Sequence, residues 1–574
     1  MTKTNTRWTP LPYATDELRD LQAALKIHPI FCQILVQRGI TNYKQAKQFF
    51  RPALEDLLDP FLMRDMKQAV ERLTVALKQK QKILLYGDYD VDGTTAVALM
   101  YSFLKPYAKW NNLHFYIPDR YKEGYGISLQ SIEFARANNF QLVLALDCGI
   151  RAVEAMQRAQ SYGLDYIICD HHLPADQLPI AAAILDPKRA DCAYPDKALS
   201  GCGIAFKLAQ AFTQQHNLSL DTLYALLDLV VISIACDIVP MMGENRILAK
   251  FGLEQLHRDK RPGLVALRQI AQREFPLTIS DIVFGFGPLI NAAGRLADAD
   301  RAVQLLIAPT FDEASKLAVV LAERNKMRKE FDNRMLEEAT TIITTDPVWQ
   351  NRKSIVLYQP HWHKGVVGIV AARIVERFNK PTIILTQSNG LVVGSARSVR
   401  GFNIHDAIAS CENILVNFGG HAHAAGLKLH ETAVVHFQDR FEGYVSANIN
   451  TDALQAEILV NAQLPFQLID TAFVRLLKEF APFGPSNRNP VFVSRRVQDV
   501  GYTRILKDKH LKIVVRQCKD GHILNGIAFG RGEDFAAVTT SENFDICYTL
   551  EENKWKGETY LQLVVKDFKF PNAT

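Results

Sequence analysis

Residues 86–93 read YGDYDVDG, a stretch in which Asp88, Asp90 and Asp92 stand at alternate positions. An apolar run, KILLYGD, leads into it, and a helix-like run, TTAVALMYSFL, follows it. Three carboxylates placed so close together repel one another unless a positive charge lies between them. The chain must therefore fold so that positive charge reaches the turn between this predicted strand and this predicted helix.

Short apolar runs alternate with helix-like segments from Lys82 onward. The runs are KILLYGD (82–88), LHFYIP (113–118), LVLALD (142–147), DYIICD (165–170) and AAILD (182–186). Strands that are apolar along their whole length and alternate with helices are typical of a parallel sheet covered on both faces. We therefore predict an α/β domain over residues 81–300, with an N-terminal helical segment, residues 1–80, that packs on it.

Three further units are predicted beyond this domain. Helical spacing of apolar residues from Phe311 to about Ile343 predicts a connecting helix within residues 301–345. A smaller α/β domain is predicted over residues 346–450, with strands SIVLYQ and TIILTQ around the helix GVVGIVAARIVERF. The tail, residues 454–574, contains five short strand-like runs, and these predict a small β-barrel, with an OB-type barrel that binds DNA as one candidate.

Acidic and histidine side chains follow three of the predicted strands. Asp88, Asp90 and Asp92 follow the first strand, Asp147 closes LVLALD, and DHH (170–172) closes DYIICD. Because the carboxyl ends of parallel strands lie on one edge of the sheet, we expect these side chains to meet. A single aspartate after a strand is more often a helix cap, but three clusters on one edge are not explained in that way. Carboxylate and imidazole ligands suit Mn²⁺ or Mg²⁺, and so many carboxylates predict two divalent ions.

Composition excludes several other classes of protein. No run of about 18 apolar residues occurs, so a membrane span is not expected. The N-terminus lacks the apolar core of a signal peptide, and the nine cysteines are scattered singly, which indicates reduced thiols in the cytoplasm and no structural zinc. The formal charge of +5 permits a polyanionic partner without requiring one.

The motifs GDYDVDG, DCG (147–149) and DHH (170–172) together resemble the DHH phosphoesterase superfamily. Later motifs extend the resemblance along nearly the whole chain. IACDIVPM (234–241) with GENR (243–246) resembles the fourth acidic motif, and NAAGRL (291–296), GSARS (394–398) and FGGHAHAAGL (418–427) resemble a DHHA1-type domain. APFGPSNRNPVF (481–492) resembles the OB domain of the superfamily branch that degrades single-stranded DNA.

The resemblance implies the following metal ligands: Asp90, Asp92, Asp147, His171 and Asp237. Asp88 is implied as a further ligand or a supporting acid. Two residues are implied to be catalytic, Asp147 by bridging two Mn²⁺ or Mg²⁺ ions and His172 by donating to the scissile phosphate. Other superfamily members carry a histidine where this chain has Tyr86, so one ligand of the first ion is expected to be lost or replaced.

The resemblance also implies a binding site for the 5′ end of the DNA strand. Ser395, Arg397 and Arg120 correspond to residues that hold a 5′-terminal phosphate, and His421 and Arg295 are implied to contact the same strand. GSARS is expected on a loop that faces the metal ions. The implied activity is a metal-dependent 5′→3′ exonuclease that degrades single-stranded DNA to 5′-mononucleotides in recombinational and mismatch repair.

The resemblance further implies partners and two rival functions. The implied partners are single-stranded DNA, single-strand binding protein and a RecQ-type helicase, and we expect a cytoplasmic monomer. One rival is a phosphoesterase for short oligoribonucleotides or cyclic dinucleotides, but such enzymes usually lack the OB tail. The other is a DNA-binding scaffold with a degraded metal site, against which the intact acidic motifs argue.

Overall fold

The computed structural model describes residues 6–108, 112–258, 260–295, 299–518, 521–555 and 558–571. Leu296, which ends the NAAGRL motif, lies outside these residues. The described part of the chain contains four β-sheets. None of its helices combines the length and the apolar character needed to cross a bilayer.

The N-terminal segment is divided between two hydrophobic cores. Its elements are β1 (Arg7–Pro10), α1 (Thr15–Leu25), α2 (Pro29–Val36), α3 (Tyr43–Phe50) and α4 (Met66–Lys78). Helix α4 packs on the α/β domain, whereas β1 pairs with a strand at Glu457–Val460 and the apolar faces of α1–α3 pack against the C-terminal barrel. The sequence instead predicts that the whole segment packs on the α/β domain. An amphipathic pattern identifies an apolar face but not the partner that covers it.

A five-stranded parallel sheet forms the centre of the next domain, as the apolar runs predict. Its strands are β2 (Ile83–Gly87), β3 (Leu113–Tyr116), β4 (Leu142–Leu146), β5 (Asp165–Cys169) and β6 (Ala183–Leu185), in the order β3-β2-β4-β5-β6. Leu85 and Leu144 face one apolar layer, while Leu84 and Val143 face the other. Both faces are buried, which explains why the runs are apolar at every position.

Helices cover both faces of this sheet and extend beyond it. They are α5 (Val91–Leu104), α6 (Leu129–Ala137), α7 (Val153–Ser161), α8 (Gly201–Gln215), α9 (Leu220–Tyr224), α10 (Leu227–Cys236), α11 (Gly243–His257), α12 (Pro262–Ile270), α13 (Ile279–Asp281), α14 (Gly287–Arg295) and α15 (Asp300–Leu306). A π-helical turn at Ile282–Phe286 leads from α13 into α14. Two helix ends supply acidic residues, because Asp90 caps the start of α5 and Asp237 caps the end of α10.

One helix of 35 residues, α16 (Phe311–Thr345), connects this domain to the next. Leu321 lies in the core of the first domain, and Met335 lies in the core of the second. Between them, the buried residues of the helix are polar: Asn325 and Asp332. The helix therefore enters both cores and crosses a polar region between them.

The second α/β domain has a mixed sheet. Its elements are α17 (Pro347–Asn351), β7 (Ile355–Tyr358), α18 (Val367–Phe378), β8 (Thr382–Ser388), β9 (Leu391–Arg397), α19 (Ile404–Ala409), β10 (Leu415–His421), β11 (Ala424–Leu429) and α20 (Val434–Asn448). Strands β7 and β8 run parallel, and the sheet continues antiparallel in the order β10-β11-β9-β8-β7. The expectation that GSARS lies on a loop is wrong, since Gly394–Arg397 end strand β9. Its small and polar residues weaken the strand pattern, but pairing with β8 and β11 fixes the extended backbone.

The tail forms a closed barrel. Its elements are β12 (Glu457–Val460), β13 (Ala462–Gln463), α21 (Thr471–Lys478), β14 (Phe492–Asp499), β15 (Arg504–Leu506), β16 (His510–Arg516), β17 (Leu524–Ala528), α22 (Phe535–Thr540), β18 (Phe544–Trp555) and β19 (Glu558–Lys569). Strands β14, β18, β19, β17 and β16 pair in turn, and a β14–β16 pairing closes the ring. The five predicted strands are the five strands of this ring, so the prediction of an OB-type barrel is confirmed.

A buried arginine holds the barrel against the first domain. Arg246, on α11, is only 4% exposed, and its guanidinium lies 3.8 Å from the centre of the Phe49 ring. It donates to the main-chain oxygens of Phe49, Glu479, Phe480, Ala481 and Pro482. Beside it, the N–H of Met241 donates to the oxygen of Pro485 at 2.7 Å. The tail is therefore docked on the segment that follows Asp237.

We expect the Arg246→Ala substitution to lower the free energy of unfolding by about 3 kcal/mol, because buried carbonyl oxygens would lose their donor. Denaturant unfolding followed by circular dichroism measures this change. Arg19→Ala is the matched control, since Arg19 is exposed and its ion pair is with Asp16, three residues away on the same helix. Superimposable unfolding curves for Arg246→Ala and the wild type would contradict the proposed anchoring role.

Candidate metal centre

A tight turn between β2 and α5 brings the first aspartates together. The side chain of Asp90 caps α5 by accepting a hydrogen bond from the N–H of Gly93 at 3.1 Å. A Cβ atom at position 93 would lie 2.4 Å from the main-chain oxygen of Asp88. Only glycine therefore allows the helix to start this close to the end of the strand, which explains the DVDG sequence.

Asp92 is fixed by a second helix. Its carboxylate accepts hydrogen bonds from the N–H groups of Gly201 at 2.7 Å and Cys202 at 2.8 Å, at the start of α8. The hydroxyl of Ser233 donates to the same carboxylate at 2.6 Å. A helix N-terminus attracts negative charge, so these donors hold the carboxylate in place.

Asp147 and His171 lie at the centre of the cluster. Asp147 follows β4 with a φ angle of +63° and is 2% exposed. The Nε2 atom of His171 lies 3.2 Å from Asp147 Oδ1, 3.5 Å from Asp237 Oδ2 and 3.8 Å from Asp92 Oδ2. Residues from β2, β4, β5 and α10 therefore converge at the carboxyl edge of the sheet, as the sequence predicts.

Asp170, the first residue of the DHH motif, has a different role from the two histidines. Asp170 accepts hydrogen bonds from the N–H groups of Ile150 at 2.9 Å, His171 at 2.7 Å and His172 at 3.1 Å. It also lies 2.7 Å from Nδ1 of His172. Burial opposes charge on the ring, but this hydrogen bond and the surrounding carboxylates raise the pKa of His172. Asp170 thus supports the protonated form of its neighbour.

The carboxyl groups at the centre of the cluster repel one another. Burial, followed by the charges of Asp92 and Asp90, raises the pKa of Asp237 to about 9. The same two causes raise the pKa of Asp147 well above its usual range, and burial together with Asp90 does so for Asp88. Such shifts mean that the ionised cluster needs compensating positive charge.

The donor set fits divalent cations. Three groups place one ligand atom from each member within 4.8 Å of one another: Asp88, Asp90 and Asp147; Asp92, His171 and Asp237; and Asp147, His171 and His172. Asp88 Oδ1, Asp147 Oδ1 and both ring nitrogens of His171 are buried without a hydrogen-bond partner among the described residues. Buried polar atoms are normally paired, so these atoms are suited to an ion. The arrangement accommodates two ions, with Asp147 and His171 each belonging to two groups.

Tyr86 supplies no ligand at this centre. Its hydroxyl donates to the oxygen of Gly126 at 2.7 Å, and its ring stacks on Tyr116 at 5.7 Å. The side chain therefore lies in the apolar layer on the far side of β2 and supports the loop that carries Arg120 and Tyr125. A metal ion near Asp88 would have to complete its coordination with other oxygens.

A cavity of about 270 Å³ opens beside Asp88 and Asp90. It is lined by Asp88, Tyr89, Asp90, Arg120, Tyr125, Asn291, Gly294 and Arg295. Arg120 lies over the ring of Tyr89 at 4.9 Å, and Arg295 Nη1 donates to the oxygen of Gly365 in the second domain at 2.9 Å. The structure thus brings the predicted residues Arg120 and Arg295 to the edge of the carboxylate cluster.

Positive charge accumulates where the two α/β domains meet. Burial, followed by Arg120, Arg328 and Arg397, lowers the pKa of Arg295 to about 10. Arg397 Nη1 donates to Ser395 Oγ at 2.8 Å, so the two predicted residues of GSARS act as one group. Four arginines gathered at one junction are suited to binding an anion, because each guanidinium offers several donors and an anion relieves their mutual repulsion.

His421 is at the same end of the second sheet as Arg397 but on another strand. In register, Arg397 is opposite Ala424, and Ala424 is opposite His421. Two strand spacings, about 10 Å, therefore separate the two residues. Burial, then the positive charges of Arg151 and His172, lower the pKa of His421, so the side chain faces the side of the edge that carries the DHH motif.

Three residues near the centre escaped the sequence analysis. The hydroxyl of Tyr125 lies 3.1 Å from both ring nitrogens of His172, and Arg151 and Lys188 follow β4 and β6. Lys188 stands two residues after the AAILD run, so the argument from strand ends, applied to that run, would have identified it. Tyr125 and Arg151 carry no such signal, since each depends on how its loop folds back.

Family models match three parts of the chain. They are the DHH family N-terminal domain over residues 82–234, the DHHA1 domain over residues 351–447 and the RecJ OB domain over residues 460–567. These matches agree with the sheet of the first domain, the mixed sheet of the second and the closed barrel.

Several known proteins are similar over nearly the whole chain. The single-stranded-DNA-specific exonuclease RecJ of Bacillus subtilis is 35% identical over 566 residues, which cover 98% of this chain and 70% of that protein. The protein of the same name from Escherichia coli is 33% identical over 572 residues, covering 96% of this chain and 97% of that protein. The crystal structure of RecJ in complex with Mn²⁺ from Thermus thermophilus matches with a TM-score of 0.84 and 26% identity, covering 100% of this chain and 81% of that one.

We expect Mg²⁺ to raise the melting temperature more at pH 8 than at pH 6. A carboxyl with a raised pKa in the folded state, such as Asp237 at about 9, loses its proton more readily in the unfolded chain. In the metal-free protein this group destabilises the fold increasingly as pH rises from about 4 towards 9, and a bound cation removes that penalty. Differential scanning fluorimetry with and without Mg²⁺ measures both effects.

Asp237→Asn is the control for this prediction. It should flatten the pH dependence of the metal-free melting temperature and reduce the gain with Mg²⁺, because the amide carries no charge to repel or to bind. An equal gain with Mg²⁺ at both pH values in the wild type would contradict the assignment of a carboxylate-based metal centre.

Proposed function

The chain belongs to the RecJ family of single-stranded-DNA-specific exonucleases, and we propose that it degrades single-stranded DNA in the 5′→3′ direction, releasing 5′-mononucleotides. The observation that carries this proposal is the arrangement of charge at the edge of the first sheet. A buried carboxylate cluster adjoins a group of arginines contributed by both α/β domains. Such a site can hold a terminal phosphate and a scissile phosphate side by side.

Divalent ions, Mn²⁺ or Mg²⁺, are held by the aspartates and by His171. Asp88, Asp90 and Asp147 would hold one ion, and Asp92, His171 and Asp237 would hold the other. Asp147 Oδ1 lies 3.2 Å from Nε2 of His171, so its carboxylate adjoins both groups. When bound, such ions lower the pKa of water and neutralise charge on the phosphoryl group. The hydrogen bonds to Asp92 from α8 and Ser233 keep its carboxylate in position for this task.

His172 acts on the scissile phosphate as a proton donor. Asp170 holds a proton on Nδ1 of this ring at 2.7 Å. Nε2, which lies 3.1 Å from the Tyr125 hydroxyl, is then the nitrogen that can donate to a non-bridging oxygen. The ring is partly exposed, with 35% of its side-chain surface accessible, and it lies next to His171 at 4.6 Å between ring centres. A positive donor at this place stabilises the charge that develops on phosphorus oxygens in the transition state.

The 5′→3′ direction follows from the arginine group. Arg120, Arg295, Arg397 and Ser395 offer the donors that a terminal phosphate with two negative charges prefers over an internal phosphodiester. With that phosphate bound, the next phosphate along the strand reaches the carboxylates. Water adds to its phosphorus, and the 3′-oxygen of the first nucleotide leaves. The shortened strand again begins with a 5′-phosphate, so the same site can accept it.

We also propose a role in recombinational and mismatch repair, with which this activity is compatible. Both processes resect one strand of a duplex, and a single-strand-specific exonuclease needs the duplex to be opened first. We therefore propose a RecQ-type helicase and single-strand binding protein as partners of a cytoplasmic monomer. The barrel contributes DNA binding through exposed side chains such as Tyr502 and Phe529, which are 75% and 63% exposed.

Asp147→Asn should abolish hydrolysis of single-stranded DNA while the fold and DNA binding persist. Removing one carboxylate relieves repulsion in the cluster and takes away a ligand that belongs to two of the three candidate groups. The measurement combines digestion of a labelled strand in Mg²⁺ or Mn²⁺ with binding of the same strand by fluorescence anisotropy. Wild-type turnover by the purified variant would contradict the two-ion assignment.

Arg397→Ala should weaken hydrolysis mainly for strands that begin with a 5′-phosphate, by about ten- to hundredfold, because an arginine–phosphate pair is lost. The measurement is kcat/KM for one sequence with a 5′-phosphate and with a 5′-hydroxyl. Arg400→Ala is a suitable control, since Arg400 is exposed and pairs with Glu457. If kcat/KM fell equally for the 5′-phosphate and the 5′-hydroxyl strands, Arg397 would not be the residue that recognises the terminal phosphate.

A further inference from the structure

The carboxylate cluster lies between two groups of cationic side chains along the edge of the first sheet. Strand order there is β3-β2-β4-β5-β6. Arg120 follows β3 on one side, whereas Arg151 follows β4 and Lys188 follows β6, so these two residues flank the DHH motif at the end of β5. Charge along this edge therefore runs positive, negative and positive. The proposed function uses only the first positive group.

Arg151 is fixed beside the DHH motif. Its Nε donates to the main-chain oxygen of Leu173, the residue after His172, at 2.7 Å. The preceding N–H, that of Ile150, donates to Asp170 at 2.9 Å. The side chain is exposed, so its two terminal nitrogens are available to a ligand on the solvent side of the motif.

Lys188 is fixed on the other side of the motif. Its N–H donates to Oδ1 of Asp186 at 2.7 Å, and Asp186 is completely buried. The next residue, Arg189, is paired with Asp65 and Asp191. Among the described residues, by contrast, no carboxylate lies within ion-pair distance of Lys188 or Arg151. Two cations beside a cluster of acids are thus left without a carboxylate partner of their own.

The second domain adds His421 to these two cations. Burial, then the positive charges of Arg151, His172 and Lys188, lower the pKa of His421, so this side chain is on the side of the edge that carries the DHH motif. His421 is offset from Arg397 by two strands in the same sheet, about 10 Å. The second domain therefore presents one phosphate-binding residue to each end of the edge, Arg397 towards Arg120 and His421 towards Lys188.

We propose that Arg151, Lys188 and His421 form a second phosphate subsite that binds the phosphodiester on the 3′ side of the scissile bond. This inference rests on the proposed exonuclease function, because it assumes that the terminal phosphate occupies the arginine group. The strand then crosses the edge of the sheet with three successive phosphates at three sites, at the arginines, at the carboxylates and at this subsite. The subsite holds the substrate strand after its first nucleotide has left.

The proposal predicts a dependence of rate on the length of very short substrates. A 5′-phosphorylated dinucleotide contains the terminal and the scissile phosphate only. A 5′-phosphorylated trinucleotide adds the one phosphodiester that would reach the subsite. Two charge-assisted contacts to that group should raise kcat/KM for the trinucleotide about ten- to hundredfold over the dinucleotide.

The test compares kcat/KM for 5′-phosphorylated di-, tri- and tetranucleotides of one sequence in the full-length protein with Mg²⁺. In the double variant Arg151→Gln/Lys188→Gln, the ratio of trinucleotide to dinucleotide should fall to near one. The matched control is Arg158→Gln/Lys78→Gln, which removes the same charge from exposed helix positions outside the edge and should retain the wild-type ratio. The single variant Lys188→Arg keeps the positive charge and should therefore retain most of the wild-type ratio.

A second measurement does not need turnover. In EDTA, the logarithm of the affinity for a single-stranded 20-mer falls with the logarithm of salt concentration, with a slope of about 0.7 per phosphate contact. The double variant should show a shallower slope than both the wild type and the control. A wild-type trinucleotide-to-dinucleotide ratio in the double variant would overturn the subsite. Absence of hydrolysis of every oligonucleotide by the wild type would instead overturn the proposed function.

Discussion

Repulsion among buried carboxylates is the constraint on which the rest of this structure depends. Asp88, Asp90, Asp92, Asp147 and Asp237 meet at one edge of a parallel sheet, and burial there raises the pKa of several of them. Hydrogen bonds from the N-termini of two helices and from the Ser233 hydroxyl hold Asp90 and Asp92 in this arrangement. Such a cluster is stable in its ionised form only when cations compensate it, and this requirement explains why histidines, arginines and a second domain gather around the same edge.

The other domains supply positive charge and fix its position. Helix α16 enters both α/β cores, so the sheet that carries Ser395, Arg397 and His421 is held at a set distance from the carboxylates. The barrel is docked by Arg246 and by the Met241–Pro485 hydrogen bond, next to the segment that ends in Asp237. The barrel also shares a core with the N-terminal helices. Shared cores and hydrogen bonds between the domains therefore fix their positions around the site.

The sequence predicts those features that depend on local pattern. Apolar runs identify every strand of the first sheet and the five strands that close the barrel's ring, and strand ends place Asp88, Asp147 and His171 on one edge. Partners that meet across long distances are not predicted, because amphipathic helices such as α1 fit any apolar surface. The strand conformation of Ser395 and Arg397 depends on neighbouring strands, and Arg151 depends on a loop that folds back to Leu173. Residues that act through packing thus stay hidden until the structure is known.

Calorimetric titration of the metal-free protein with Mn²⁺ tests the central claim most directly, because it counts ions at the carboxylate cluster without reference to DNA. The wild type should bind two Mn²⁺ ions per chain at pH 8. Asp147→Asn should bind at most one ion, and more weakly, since this carboxylate belongs to two of the three ligand groups. Equal stoichiometry and affinity in the wild type and in Asp147→Asn would contradict the account.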